Sequence, residues 1–310
     1  MKLGLLFSGQ GAQKPGMGLD FLSDPLFESI ISEGSSVTDL DLKKIMVSED
    51  GELKETKNVQ PALVAVSYGI YRMLSRDLPK LPVAAMAGLS LGEYAALMAS
   101  NSLSAGQGLQ LLTDRGRYMQ TDADQTASSM AAVLNPDVKK VNDVCDKYPH
   151  VWIANYNSPA QLVIGGVTDE LKEAVAELKE QSAAKRVVVL RVSGAFHTPL
   201  FNGARQKMHA RLANQPFRQP AIPVISNTTV SEFQDDEIAS IMERQLAVPT
   251  HFGDDVAYMV EHQGINSTLE IGPGKTLSRF AKQVNPRLKR SNIATMKDYA
   301  EFVKENQQWS

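Results

Sequence analysis

A single cysteine, Cys145, stands among 310 residues. That excludes an internal disulfide and leaves no thiolate set for a structural zinc site. Cys145 lies in a helical stretch, where a free thiol serves as a small packing residue. Basic residues are not in excess: 32 Lys and Arg face 35 Asp and Glu, for a formal net charge of −3, the wrong sign for a general nucleic-acid binder. No uninterrupted apolar run is long enough to cross a bilayer. The opening Lys2-Leu3-Gly4-Leu5-Leu6-Phe7 reads as a strand and not as a signal peptide. Internal repeats and low-complexity tracts are also missing. We therefore expect a soluble, cytoplasmic, monomeric protein with no membrane or nucleic-acid partner. What the chain does have is apolar material: 43% hydrophobic residues, enough to bury a large core in one large domain or two.

The most informative segment is Gly88-Leu89-Ser90-Leu91-Gly92. Before it, Val83 to Ala87 is short, apolar and preceded by Pro82, as a buried strand would be. After it, Leu91 to Ala99 reads as a helix with Glu93 in its first turn. A G-x-S-x-G between strand and helix is a nucleophile elbow, in which the sharp turn presents the serine hydroxyl. The flanking glycines remove side chains that would block the turn. The helix N-terminus supplies free N–H groups where negative charge would build up during acyl transfer.

Along its length the chain alternates strands and helices, the rhythm of a mostly parallel α/β sheet. A glycine-rich loop from Gly9 to Gly18 follows the first strand. Helices are predicted over Asp24–Glu33, from a start at Pro61, and over Ser104–Gln120. From about Ser128 the order becomes β-α-β-β-α-β. Met130–Leu134 forms a strand, Asn135-Pro136 starts a helix, and Val151–Asn155 and Gln161–Ile164 are strands. A helix capped by Thr168 and a strand over Arg186–Val192 complete the unit. This is the ferredoxin-like pattern. We read residues 125–194 as a small domain inserted into a larger α/β domain made of residues 1–124 and 195–310.

A serine nucleophile needs a base, and the chain offers His150, His197, His209, His251 and His262. His197 follows a strand and the turn Ser193-Gly194-Ala195, which places it at a strand's carboxyl end, the edge where Ser90 is expected. His209 falls in a surface helix, His150 in a loop and His262 at a helix end. Two nucleotide motifs are excluded. A dinucleotide fingerprint beginning at Gly9 needs glycine where Lys14 stands, and a P-loop ending in Gly274-Lys275-Thr276 needs glycine where Leu269 stands.

Taken in order, Phe7-Ser8-Gly9-Gln10-Gly11-Ala12-Gln13, Gly88-Leu89-Ser90-Leu91-Gly92-Glu93-Tyr94, Arg115-Gly116 with Met119, Met130-Ala131-Ala132-Val133, Asn155 with Asn157-Ser158-Pro159, Gly194-Ala195-Phe196-His197 and Glu270-Ile271-Gly272-Pro273-Gly274 resemble the malonyl-CoA:acyl carrier protein transacylases from end to end. The resemblance implies a hydrolase-like α/β domain carrying a ferredoxin-like insertion. It implies malonyl transfer from coenzyme A to the phosphopantetheine thiol of acyl carrier protein, with no bound cofactor. Ser90 would be the nucleophile and His197 the general acid/base. The backbone N–H groups of Gln10 and Leu91 would form the oxyanion hole. Arg115 would clamp the free malonyl carboxylate, and Phe196 would favour malonyl over branched groups. Asn157 would join the substrate site.

Two residues depart from the family's usual pattern. Leu89 replaces the histidine that often precedes the nucleophile. His251 stands where glutamine is often found, near a main-chain carbonyl that orients the catalytic histidine, so we place His251 in the substrate site. An acidic carrier needs a locally basic docking face, for which Lys185-Arg186 and the cluster Lys282, Arg287, Lys289 and Arg290 are candidates. Two other classes stand beside this reading. An α/β serine hydrolase would need a triad acid between Ser90 and His197 and would release free malonate. A non-catalytic carrier-binding module would form no acyl-enzyme.

Overall fold

The computed structural model describes residues 1–310. In chain order, β1 (Leu3–Phe7) is followed by α1 (Pro25–Thr38), α2 (Leu42–Val47) and α3 (Thr56–Asp77). Next come β2 (Val83–Gly88), α4 (Gly92–Ala99) and α5 (Ala105–Gln125). The central segment holds β3 (Ser128–Pro136), α6 (Val138–Cys145), β4 (Val151–Ser158), β5 (Gln161–Val167), α7 (Thr168–Glu180) and β6 (Ala184–Val189). The chain closes with α8 (Asn202–Leu212), β7 (Val224–Ile225), α9 (Ile238–Arg244), α10 (Phe252–Glu261), β8 (Ser267–Ile271), α11 (Thr276–Val284), β9 (Lys289–Ile293) and α12 (Met296–Glu305). No helix is long and apolar enough to cross a membrane.

Two sheets organise these elements. The first runs β7-β2-β1-β8-β9, and every pairing in it is parallel. Its central strands are buried along their length, as in Leu3-Gly4-Leu5-Leu6-Phe7, because helices cover both faces of a parallel sheet. The second runs β4-β5-β3-β6 and is antiparallel throughout. One of its faces, with Ala131, Val133, Leu162 and Ile164, packs with residues of α6 and α7 in a core of its own. Met130 and Val163, on the other face, join the larger core. The second sheet is tied to the segment before α10 at β4, where Asn155 Nδ2 donates to Thr250 Oγ1 at 2.6 Å and Tyr156 N–H donates to the Thr250 carbonyl at 2.7 Å.

Local signals held at the starts of α1 and α5. Asp24 caps α1 by accepting from Leu26 and Phe27 N–H, and Ser104 caps α5 in a reciprocal box with Gln107. Other boundaries differ from those the sequence predicts. α3 begins at Thr56 and Pro61 lies inside it, because Gln120 Oε1 accepts the Thr56 N–H at 2.9 Å and caps the helix from α5. β3 runs through Asn135 and Pro136. The Asn135 N–H donates to the Ala160 carbonyl, and Asp137 caps α6 instead. Thr168 is the first residue of α7 and its side chain makes no cap. β6 ends at Val189, so Leu190–Val192 belong to a loop.

Candidate active site

Ser90 sits between β2 and α4 at φ 56°, the left-handed region, where a residue with a Cβ costs about 1–2 kcal/mol. The turn closes so tightly that a Cβ on Gly88 would stand 2.0 Å from the carbonyl carbon of Gly92. Only glycine fits there. Ser90 is 8% exposed and lines a cavity of about 640 Å³ together with Gln10, Arg115, Asn157, Phe196 and His197. The cavity opens at the carboxyl ends of β1 and β2, where open α/β sheets hold their ligands.

His197 also has a left-handed backbone, φ 61°, and is 5% exposed. Its Nδ1 lies 2.8 Å from the Gln245 carbonyl oxygen. A carbonyl only accepts, so Nδ1 carries the proton and Nε2 keeps its lone pair. Burial lowers the His197 pKa from 6.5 to about 4. The nearby Arg115 charge adds to this shift, and the Gln245 hydrogen bond opposes it. The imidazole is therefore neutral near pH 7, the form a general base requires.

Arg115, on α5, is 1% exposed. Its Nη1 donates to Gln60 Oε1 at 2.7 Å, and its Nη2 donates to Gln245 Oε1 at 2.8 Å and to Ser90 Oγ at 3.1 Å. Nε has no partner. Burial presses its pKa down, opposed by Tyr94 and Glu93, yet a guanidinium keeps its proton. A desolvated cation held by three neutral acceptors lacks the opposite charge that would offset its burial.

The N–H groups of Gln10 and Leu91 meet no acceptor in the protein, whereas the Ser90 N–H is held by Asn227. Asn157 Oδ1 is buried and unpartnered at the cavity wall. Phe196 packs against Phe201 with ring centroids 5.0 Å apart. His251 requires a correction. It lies outside the cavity, its ring stacked on Tyr156 at 4.7 Å and its Nδ1 3.0 Å from Asp254 Oδ2. The carbonyl that orients His197 belongs to Gln245, at the C-terminus of α9. Lys185, Arg186, Lys282 and Arg287 are exposed and do not line the cavity.

Sequence reasoning missed the residues that hold this site together. Gln245 donates from Nε2 to the Ser90 carbonyl at 3.1 Å and to Glu93 Oε2, and accepts from Arg115, so one side chain joins nucleophile, acid and cation. Glu93 is fully buried, and burial lifts its pKa to about 8 against the hydrogen bonds it accepts from Asn227 and Gln245. Asn227 and Asp255 lie behind the elbow. A polar triplet, Ser226-Asn227-Thr228, directly after a strand of the parallel sheet was the one available signal. Nothing in the spacing pointed to Gln245.

A serine on a left-handed turn and a neutral histidine line one cavity with Gln10, an arrangement that suits a serine acyltransferase or a close chemical relative. Residues 5–299 match the acyl transferase domain family. A malonyl CoA-acyl carrier protein transacylase of Staphylococcus aureus (strain MSSA476) is 34% identical over 307 residues, covering 96% of this chain and 97% of that protein. The crystal structure of MCAT from Streptococcus pneumoniae superposes with a TM-score of 0.92 at 37% identity, covering 98% of this chain and 100% of the other. A malonyl-transacylase in complex with its type II PKS acyl-carrier protein gives a TM-score of 0.93 at 30% identity, covering 99% and 100%. The chain belongs to the acyl transferase family, in its malonyl-CoA:acyl carrier protein transacylase branch.

Proposed function

We propose that this protein carries a malonyl group from coenzyme A to the phosphopantetheine thiol of an acyl carrier protein, through an ester on Ser90, and so supplies fatty acid or polyketide synthesis. The observation that carries the choice of acyl group is Arg115: a buried guanidinium 3.1 Å from the Ser90 hydroxyl, with no acidic partner in contact. A carboxylate of the substrate would supply the missing charge in charge-assisted bonds.

In the first step the Ser90 oxygen attacks the thioester carbonyl while His197 Nε2 takes the hydroxyl proton. The Gln10 and Leu91 N–H groups receive the oxyanion. The C–S bond then breaks, and His197 returns the proton to the departing coenzyme A sulfur. The second step runs the same sequence with the carrier thiol as nucleophile. Each step exchanges one acyl bond and one proton with no change of oxidation state. Thioesters of similar energy bracket the ester, so the transfer needs no redox partner and no nucleotide to drive it. Phe196 narrows the cavity against branched acyl groups, and Asn157 offers its free oxygen to the substrate. The orienting group of His197 is a backbone carbonyl and not a carboxylate, which weighs against a hydrolase triad.

We further read residues 1–124 and 195–310 as a hydrolase-like catalytic domain and residues 125–194 as a ferredoxin-like insertion. The β-α-β-β-α-β order and the strand order β4-β5-β3-β6 support the second part.

The test is intact-mass analysis after mixing with malonyl-CoA or acetyl-CoA, followed by peptide mapping. One malonyl group on Ser90, discharged by holo-carrier protein, is the expected result. Arg115→Ala should lose about 1.5–3 kcal/mol of malonyl transfer, the value of a hydrogen bond to a charged group, and spare acetyl transfer. No adduct would overturn the reading, and equal loss for both acyl groups would remove the clamp.

A further inference from the structure

One side chain grips both ends of the nucleophile turn. Asn227, just after β7, is fully buried. Its Oδ1 accepts the Ser90 N–H at 2.7 Å, and its Nδ2 donates to the Gly88 carbonyl at 2.8 Å. The same Nδ2 donates to Asp255 Oδ2 at 2.6 Å, and the Asn227 backbone N–H donates to Glu93 Oε1 at 2.5 Å. Gly88 and Ser90 bound the turn, so a single amide fixes the separation of its two ends and the direction of the peptide between them.

The turn needs such a clamp. Ser90 holds a left-handed φ that persists only where its surroundings over-determine it. The Ser90 carbonyl is held on the other side by Gln245 Nε2. With its N–H occupied by Asn227, Ser90 turns its hydroxyl to the cavity and leaves the next N–H, that of Leu91, without a protein acceptor.

Asp255 supports the direction of the clamp. It lies on α10 at zero exposure, with Oδ2 on Asn227 and Oδ1 unpartnered. A buried carboxyl with one hydrogen bond is a costly residue to keep. Its single contact reinforces, from outside the turn, the Asn227 amide direction that the Gly88 carbonyl and the Ser90 N–H require. Reversing that amide would press its oxygen against the Gly88 carbonyl and the carboxyl, and its NH₂ against the Ser90 N–H.

We propose that Asn227 is a positioning residue for the nucleophile, holding the Gly88–Ser90 turn in its reactive shape, and that Asp255 reinforces the orientation of its amide. This rests on the reading of Ser90 as the acylated residue. The experiment measures the rate and concentration dependence of malonyl-Ser90 formation by intact mass in the native chain and in Asn227→Ala, Asp255→Ala and Asp255→Asn, with thermal melts alongside. A shift of about 1 Å at a reacting atom costs roughly 10²-fold, so Asn227→Ala should lose that much in the maximal acylation rate at unchanged KM for malonyl-CoA. Asp255→Ala should move the same way. Asp255→Asn keeps an acceptor oxygen for Nδ2 and should restore the rate. A folded Asn227→Ala chain that acylates at the native rate, or loses only in KM, overturns the proposal. If Asn227→Ala does not fold, the Asp255 pair decides: equal rates in Ala and Asn overturn it, and rescue by Asn alone upholds it. Absence of acylation in the native chain overturns the Ser90 reading and this inference together, whereas native acylation with unchanged variants overturns this inference alone.

Discussion

At His197 the proton balance of the site rests on where one carbonyl lies. The Gln245 oxygen takes the Nδ1 proton, burial and Arg115 disfavour the imidazolium, and the pKa falls to about 4. Two consequences follow with definite signs. The acid limb of kcat/KM, which reports the free enzyme, should fall near pH 4 and not near 6.5. A pH–rate profile for malonyl transfer measures it, and a limb at 6.5 would mean that the imidazole is not desolvated as described. Between those two values the unfolded chain binds a proton at this position that the native chain refuses. This part of the stability is present above 6.5 and is lost as pH falls toward 4. Ser90 was readable from its elbow motif and His197 from its place after a strand and a glycine turn, whereas Arg115 stood out only through the family resemblance. The residues that tune them were not readable. Gln245, Asn227 and Asp255 act by hydrogen bonds from three different elements that meet only in the folded chain. His251 was misplaced for the same reason: its position along the chain was near the right carbonyl, but the end of α9 supplies that carbonyl six residues earlier.

The element that decides reactivity is the strand–turn–helix of β2 and α4. Its apolar strand, its glycines and its helix were readable from composition and order, since a buried parallel strand and an elbow each leave local signatures. Boundaries were less readable where a distant group supplies the cap. α3 extends upstream of Pro61 because Gln120, on α5, receives the Thr56 N–H. Gly88→Ala tests how tightly the elbow is closed. Its Cβ would meet Gly92 backbone atoms at 2.0 and 2.2 Å and the Glu93 nitrogen at 2.5 Å, none of which is the end of a flexible side chain. We expect a loss of about 3 kcal/mol or more, the upper range of overpacking, read as a lower urea midpoint at unchanged m-value. Stability close to native would mean that the turn can open, and the strain assigned to Ser90 would then lose its basis.

At the scale of the whole molecule, the question is how a chain of net charge −3 receives an acidic carrier. The answer we expect is local. β6, which carries the exposed Lys185 and Arg186, runs into the loop whose Arg191 lines the cavity. α11 also places Thr276, Leu277 and Phe280 in the cavity and carries Lys282 on its last turn. Arg287 follows shortly after. Lys185 and Arg186 therefore lead into a segment that lines the cavity, Lys282 shares a helix with lining residues, and Lys54 adds a cation from the segment before α3. An acidic partner drawn to that face would deliver its phosphopantetheine arm toward Ser90. Charge on an exposed rim acts over about 10 Å at 0.1 M salt and chiefly changes the rate of encounter. Reversing Lys185 and Arg186 together should lower kcat/KM for carrier protein at low salt by about tenfold or more, with the native and reversed chains converging as salt rises. Formation of malonyl-Ser90 from malonyl-CoA should change far less, because neither residue lines the cavity. Transfer to carrier protein that is unchanged at low salt would remove this patch from the docking face and leave the α11 cations as the surface to test.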